Sequence, residues 1–149
     1  MPIAIKDSKI NITSEKSTKE LAQKFTEYLK GGEFVLLYGE MGVGKTTFVK
    51  YFINEFQKKN ELSQTEITSP TFNLLNEYQI RDIKIKHYDL FRINSKKEVN
   101  DLEVFETDDK VITLIEWPEL IDHKGKIKFI KLTFSYLNNL VDRSVDIKI

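Results

Sequence analysis

Between Gly39 and Phe48 the chain reads GEMGVGKTTF, which contains Gly39-x-x-x-x-Gly44-Lys45-Thr46. The spacing is that of a phosphate cradle. Glycines let consecutive backbone N–H groups turn inward and approach phosphate oxygens with no Cβ in the way. A helix opening at Lys45 would add its positive N-terminal end. In that role Gly39, Glu40, Met41, Gly42, Val43, Gly44, Lys45, Thr46 and Thr47 form the nucleotide-binding stretch. Lys45, its side chain expected to be solvated, faces the β- and γ-phosphates, and the Thr46 hydroxyl is a ligand for Mg²⁺. A fortuitous glycine-rich turn would not also have the apolar run Phe34–Tyr38 before it and an amphipathic segment after it.

A nucleotide-bound Mg²⁺ needs an acid at the end of a neighbouring buried strand. The run Val111–Ile115 delivers Glu116, followed by Trp117. Glu116 reads as a metal ligand, against the alternative of an acid at a sheet edge paired to a lysine. Trp117 is either core or a stacking aromatic. Asp89, in His87-Tyr-Asp-Leu-Phe-Arg92, ends another alternating strand and would orient water or support the metal; an ion pair with Arg92 explains it equally well. His87 reads as a partly buried structural histidine. Thr68-Ser69-Pro70-Thr71 is stiffened by proline and carries hydroxyls able to sense a γ-phosphate, although a plain turn fits the spacing too.

Positioning these groups requires a particular order of elements. Ile3–Ile5 and Ile10–Ile12 alternate apolar with polar, as in a small N-terminal hairpin. Ser17-Thr-Lys-Glu20 is a capping box opening a helix with Leu21, Phe25, Tyr28 and Leu29 on one face, ended by Gly31-Gly32. The strand Phe34–Tyr38, the glycine loop and a helix from Lys45 to about Lys59 follow. The helix carries a stripe of Phe48, Val49, Phe52, Ile53 and Phe56. Phe72–Ile80 and Ile83–Phe91 form a hairpin turning at Arg81-Asp82, and Asn94–Glu106 holds a short helix plus loop. Val111–Ile115 is continuously apolar, as a strand buried on both faces would be. Ile127–Phe134 and Val141–Ile149, joined through Asn138-Asn139, read as a second hairpin. The expected fold class is α/β: one three-layer P-loop NTPase domain over residues 1–149, with a mixed, mainly parallel sheet and flanking β-hairpins.

Composition narrows the functions. At 149 residues and 40% apolar content the chain is one domain with a packed core. It has no cysteine, which excludes disulfide scaffolds, zinc ribbons and thiol catalysis. No apolar run is long enough to span a bilayer and MPIAIKDSKINITS lacks a signal-peptide core, so a cytoplasmic protein is expected. Twenty-three basic residues balance 23 acidic ones, which disfavours an independent grip on nucleic acid. A GTPase would need an Asn-Lys-x-Asp guanine signature, and none is present. A small-molecule kinase would need several arginines around its phosphates. With only Arg81, Arg92 and Arg143 in the chain, it is the second reading.

GEMGVGKTTF, TSPTF at Thr68–Phe72, HYDLFR at His87–Arg92 and EWP at Glu116–Pro118, in this order and spacing, resemble the bacterial TsaE (YjeE) family. The resemblance spans about Ser17 to Ile149. It implies an ATPase required for threonylcarbamoyladenosine modification of tRNA, binding ATP and Mg²⁺. Such a protein would act on the complex of the TsaD and TsaB proteins, meet tRNA only through that complex, and be monomeric alone. By position it implies Thr46 and Glu116 as metal ligands, Asp89 with Lys45 and Glu116 as catalytic residues, and Thr68–Thr71 as a switch. Thr18 and Arg143 match family positions near the base or ribose. Phe91 stands where the family often has tyrosine, and Ser95–Glu106 lacks a glycine common there.

Overall fold

The computed structural model describes residues 7–70, 72–122 and 128–149. In chain order the elements are β1 (Lys9–Asn11), α1 (Glu15–Tyr28), β2 (Phe34–Tyr38), α2 (Lys45–Lys59), β3 (Leu75–Ile80), β4 (Ile83–Asp89), α3 (Lys96–Asp101), β5 (Val111–Glu116), a 3-10 turn at Pro118–Leu120, β6 (Phe129–Tyr136) and β7 (Arg143–Lys148). The strands form one seven-stranded mixed sheet in the order β1-β7-β6-β2-β5-β4-β3. β4, β5, β2 and β6 run parallel, and β3, β7 and β1 join antiparallel at the two sides. The sheet is therefore half antiparallel by pairing rather than mainly parallel. The parallel part coincides with the strands that end at the glycine loop.

β2 and β5 lie in register at the centre, with Phe34 opposite Thr113 and Leu37 opposite Glu116. All six residues of β5 are buried, as its continuous apolar run requires. Alternation sorts the strands into two cores. Val35, Leu37, Ile85, Ile112, Leu114, Leu132 and Val145 meet the α1 and α2 stripes on one face, where Phe48, Val49, Phe52, Ile53 and Phe56 are all buried. Phe34, Leu36, Tyr88 and Ile115 meet Val99, Val104 and Ile121 on the other. This second layer stops short of β7. Thr133 and Ser135 of β6 and Lys148 of β7 are exposed, as residues on the solvated face of an antiparallel pair should be, while Ser144 is buried.

Several boundaries differ from expectation. Lys9–Asn11 pairs antiparallel with β7, with Ile10 opposite Val145. That pairing makes Lys9–Asn11 an edge strand of the main sheet; Ile3–Ile5, the other half of the expected hairpin, lies outside the described residues. The hairpin β3–β4 starts at Leu75 and ends at Asp89 rather than running Phe72–Phe91. Phe72 is exposed, and Leu74 at φ 64° cannot continue a strand. Its turn is at Arg81-Asp82 as expected, with Arg81 at φ 56°. The second hairpin occupies Phe129–Tyr136 and Arg143–Lys148, so its loop is longer than Asn138-Asn139; Ile127 lies outside the described residues. Asn139 Oδ1 accepts from the backbone N–H groups of Val141 and Asp142 and shapes that loop.

The first helix starts at Glu15, not after Ser17. Ser14 is the N-cap, extended at φ −92° and ψ 148°, and its hydroxyl accepts from the Ser17 N–H at 3.1 Å. A serine three residues before Ser17 captures the orphan donor first, which moves the cap one turn upstream. Ser14→Ala should therefore lower stability by about 1 kcal/mol, while Ser17→Ala, which keeps the accepted N–H, should cost only a fraction of that. Urea unfolding midpoints of the two variants check this, and equal losses would contradict the assigned cap.

Candidate nucleotide and metal site

The glycine loop leaves the end of β2 and enters α2 through backbone shapes that side chains resist. Gly39, Gly42 and Gly44 lie at φ 143°, 82° and 120°. At Gly39 a Cβ would stand 2.8 Å from both the Phe134 carbonyl oxygen and Val43 Cγ1, so only glycine fits between the loop and β6. From β6, Tyr136 donates its hydroxyl to the Gly42 carbonyl at 3.2 Å and braces the loop. The parallel pairing of β4, β5, β2 and β6 brings all four carboxyl ends to this edge, where ligands gather in open α/β sheets.

A cavity of about 270 Å³ opens there, bordered by Lys45, Thr46, Asp89, Phe91, Glu116 and Trp117, with Ser69, Met41, Gly42, Gly44 and Thr47 completing the wall. Lys45 is buried rather than solvated. Its ammonium donates to the Gly39 carbonyl and sits 3.5 Å from the centroid of the Trp117 ring. Burial holds this ammonium below its ordinary range, against the opposing pull of Glu116, Glu119 and Asp89. Trp117 is thus a wall of the cavity. It lies left-handed at φ 56° and ψ 57° between Glu116 and the 3-10 turn, with Phe91 at 4.9 Å between ring centroids.

Glu116, at the end of β5, is 2% exposed and uses both oxygens. Oε1 accepts from the Thr46 hydroxyl at 2.7 Å, and Oε2 lies 2.6 Å from His87 Nε2. The expected pairing partners are therefore together: the first residues of α2 and the carboxylate of β5 meet across 70 residues of chain. Asp89 stands opposite Glu116 in the β4–β5 register. It accepts from the Phe91 N–H at 3.0 Å and from the Ser69 hydroxyl at 3.4 Å. Arg92 does not pair with it; the guanidinium lies 4.6 Å from the Phe72 ring centroid instead. Burial pushes the Asp89 carboxyl up and nearby Glu116 adds to this, while the Phe91 N–H and the Ser69 hydroxyl oppose.

The donor set suits a hard cation. Thr46 and Glu116 offer a hydroxyl and a carboxylate oxygen at one point, and Mg²⁺ characteristically takes one or two protein oxygens and completes its shell with water and phosphate. Among the described residues no cluster of three or more His, Cys, Asp or Glu side chains forms an all-protein cage. The residues therefore fit a nucleotide-borne Mg²⁺ held by Thr46 and Glu116.

The remaining expected residues are spread around this centre. Ser69 joins it directly. The Thr68 carbonyl accepts from the Asn76 amide at 3.1 Å and the Pro70 carbonyl from the Leu74 N–H at 3.1 Å, which ties the segment to the start of β3; Thr71 lies outside the described residues. Arg143 borders the loop, since a Cβ on Gly44 would stand 3.6 Å from its Nη1, and its Nη2 donates to the Thr13 carbonyl at 3.1 Å. Thr18 does not line the cavity. It is buried in the first turn of α1, its hydroxyl 3.5 Å from the Ser14 carbonyl. Glu40 and Val43 contribute backbone: the Glu40 carbonyl accepts from the Val43 N–H at 3.3 Å.

One contact was not foreseen. His87 is fully buried and bonded to Glu116, not partly buried and merely structural. The signal was present in His87-x-Asp89, because residues two apart on a strand share a face. The close fit at Gly39 makes a local prediction. Gly39→Ala should lower unfolding free energy by about 1–3 kcal/mol through forced backbone strain, read as a lower urea midpoint. A variant as stable as the parent would mean that the loop lies farther from β6.

Known proteins similar in sequence to this chain share one family name. A protein named tRNA threonylcarbamoyladenosine biosynthesis protein TsaE from Rickettsia typhi is 41% identical over 128 residues, 86% of each chain. One of the same name from Aquifex aeolicus is 38% identical over 108 residues, 72% of this chain and 74% of the relative. The crystal structure of Bacillus subtilis YdiB superposes with a TM-score of 0.67 at 21% identity, covering 94% of this chain and 83% of that one, which speaks to the fold. The family model described as threonylcarbamoyl adenosine biosynthesis protein TsaE matches residues 12–145. The chain belongs to the TsaE family, whose role is in the biosynthesis of threonylcarbamoyladenosine in tRNA.

Proposed function

We propose that this TsaE-family protein is a P-loop ATPase that binds Mg²⁺ and ATP at the Lys45–Thr46–Glu116 centre and hydrolyses ATP in support of the TsaD–TsaB complex. The observation that carries the reading is the 2.7 Å contact between the Thr46 hydroxyl and the Glu116 carboxylate beside a buried lysine, at the mouth of a glycine loop. In this reading the protein meets tRNA only through its partners, works as a monomer when alone, and resides in the cytoplasm. Its even charge balance supports that arrangement. No helix among the described residues is long and apolar enough to cross a membrane.

The chain's own groups divide the work. Backbone N–H groups from Gly39 to Thr47 cradle phosphate, and the positive end of α2 reinforces them. Lys45 leaves the Gly39 carbonyl and the Trp117 face to meet the terminal phosphates. Thr46 and Glu116 hold Mg²⁺, which when bound neutralises charge developing on the β- and γ-phosphate oxygens. Asp89, whose carboxyl is pushed up by burial, orients the attacking water and receives its proton; Ser69 carries the presence of the γ-phosphate to the Thr68–Thr71 switch. Thr18 and Arg143 lie farther out, with Arg143 on the loop side where ribose or base would extend. Among the described residues the cavity wall contains no arginine, whereas a kinase holding two sets of phosphates would need several.

Two measurements test the proposal. Phosphate from ATP should appear as free inorganic phosphate at a rate raised by added TsaD–TsaB complex; stoichiometric transfer to a small-molecule acceptor would support a kinase instead. Glu116→Gln should weaken Mg²⁺-dependent ATP affinity by about 10-fold or more, the range for a disturbed metal ligand. The ligand-free protein should change little in thermal stability, because the amide can still accept from His87 and donate to the Thr46 hydroxyl. Asp89→Asn should leave affinity nearly intact and slow turnover. If Asp89→Asn loses Mg·ATP while Glu116→Gln retains it, the two roles are exchanged.

A further inference from the structure

His87 is an expensive residue where it stands. It is fully buried on β4, on the face that carries Ile85 toward the main core, and Leu114 is its register partner on β5. Among the described residues its one side-chain hydrogen-bond partner is Glu116, through Nε2 at 2.6 Å, and Nδ1 is buried with no hydrogen-bond partner. Only the tautomer with the proton on Nε2 suits both facts. It donates to the carboxylate and leaves a bare lone pair, not a stranded N–H, at Nδ1. A leucine or phenylalanine would fill the same space without the unsatisfied Nδ1 but would leave the buried Glu116 Oε2 without its donor, so the imidazole is explained by the carboxylate it holds and not by packing.

We propose that His87 is a positioning residue for the Mg²⁺ site: its Nε2–H holds Glu116 Oε2 and thereby turns Oε1 toward Thr46. Glu116 is the last residue of β5, its backbone paired with Leu37 and Asp89, and its other carboxylate oxygen faces the α2 N-terminus. With one oxygen pinned from beneath, Glu116 presents a fixed oxygen to the metal at no further ordering cost on binding. The same strand then serves the site twice, because His87 and Asp89 share a face and bracket Glu116.

The inference rests on the proposed Mg·ATP site, and its test separates the two. ATP affinity is measured with Mg²⁺ and with EDTA for the parent, Glu116→Gln, His87→Leu, His87→Gln and His87→Asn, alongside thermal unfolding of the ligand-free proteins. Glutamine places its amide nitrogen near the Nε2 position, whereas asparagine places it near Nδ1 and cannot reach Glu116. Mg²⁺ enhancement of affinity should fall about 10-fold in His87→Leu and His87→Asn, with EDTA affinity unchanged, and His87→Gln should recover most of it. Should His87→Leu fail to fold, the glutamine–asparagine contrast alone decides. Equal Mg²⁺ enhancement in His87→Gln and His87→Asn, with Glu116→Gln impaired, overturns the role of His87 while leaving the site. Full enhancement in Glu116→Gln itself would remove the site reading and the inference with it.

Discussion

A single carboxylate joins the halves of the structure. Glu116 ends the central strand β5, accepts from Thr46 at the start of α2 on one oxygen and meets His87 of β4 on the other. Burying that charge is costly unless both oxygens are satisfied. The requirement explains why the parallel strands end flush: a one-residue slip of β4 against β5 would turn His87 to the opposite face and strand the acid. The glycine loop is constrained from the other side, where β6 approaches Gly39 too closely for any side chain.

Around that centre the antiparallel strands perform a different task. β7 and β1 extend the sheet beyond β6, bring Arg143 to the loop and hold Tyr136 where it braces Gly42. β3 closes the other side and leads back through Pro70 and Ser69 to Asp89. The parallel core makes the site, and the antiparallel margins aim the residues at its rim.

Much of this was legible in the sequence wherever local chemistry decides structure. Phe34–Tyr38, the Lys45–Lys59 helix and Val111–Glu116 are as periodicity implies, because a glycine loop between an apolar run and an amphipathic one has few other solutions. What stayed hidden depends on distant partners. Lys9–Asn11 finds its place only against β7, more than 130 residues away, which no local pattern records. The shift of the first cap from Ser17 to Ser14 is a contest between two serines three residues apart that spacing alone does not resolve. Lys45 was expected in solvent because lysines usually are; a carbonyl of its own loop and an indole face from beyond β5 bury it. His87 looked incidental until the β4–β5 register set it beneath Glu116.

The most direct test is a crystal structure with Mg²⁺ and a non-hydrolysable ATP analogue. The expected result places Thr46 Oγ1 and one Glu116 oxygen about 2.0–2.1 Å from the metal, with the other Glu116 oxygen still on His87 Nε2 and Lys45 moved from Trp117 to the terminal phosphates. Metal held by Asp89 with Glu116 turned away, or a nucleotide seated outside the glycine loop, would contradict it.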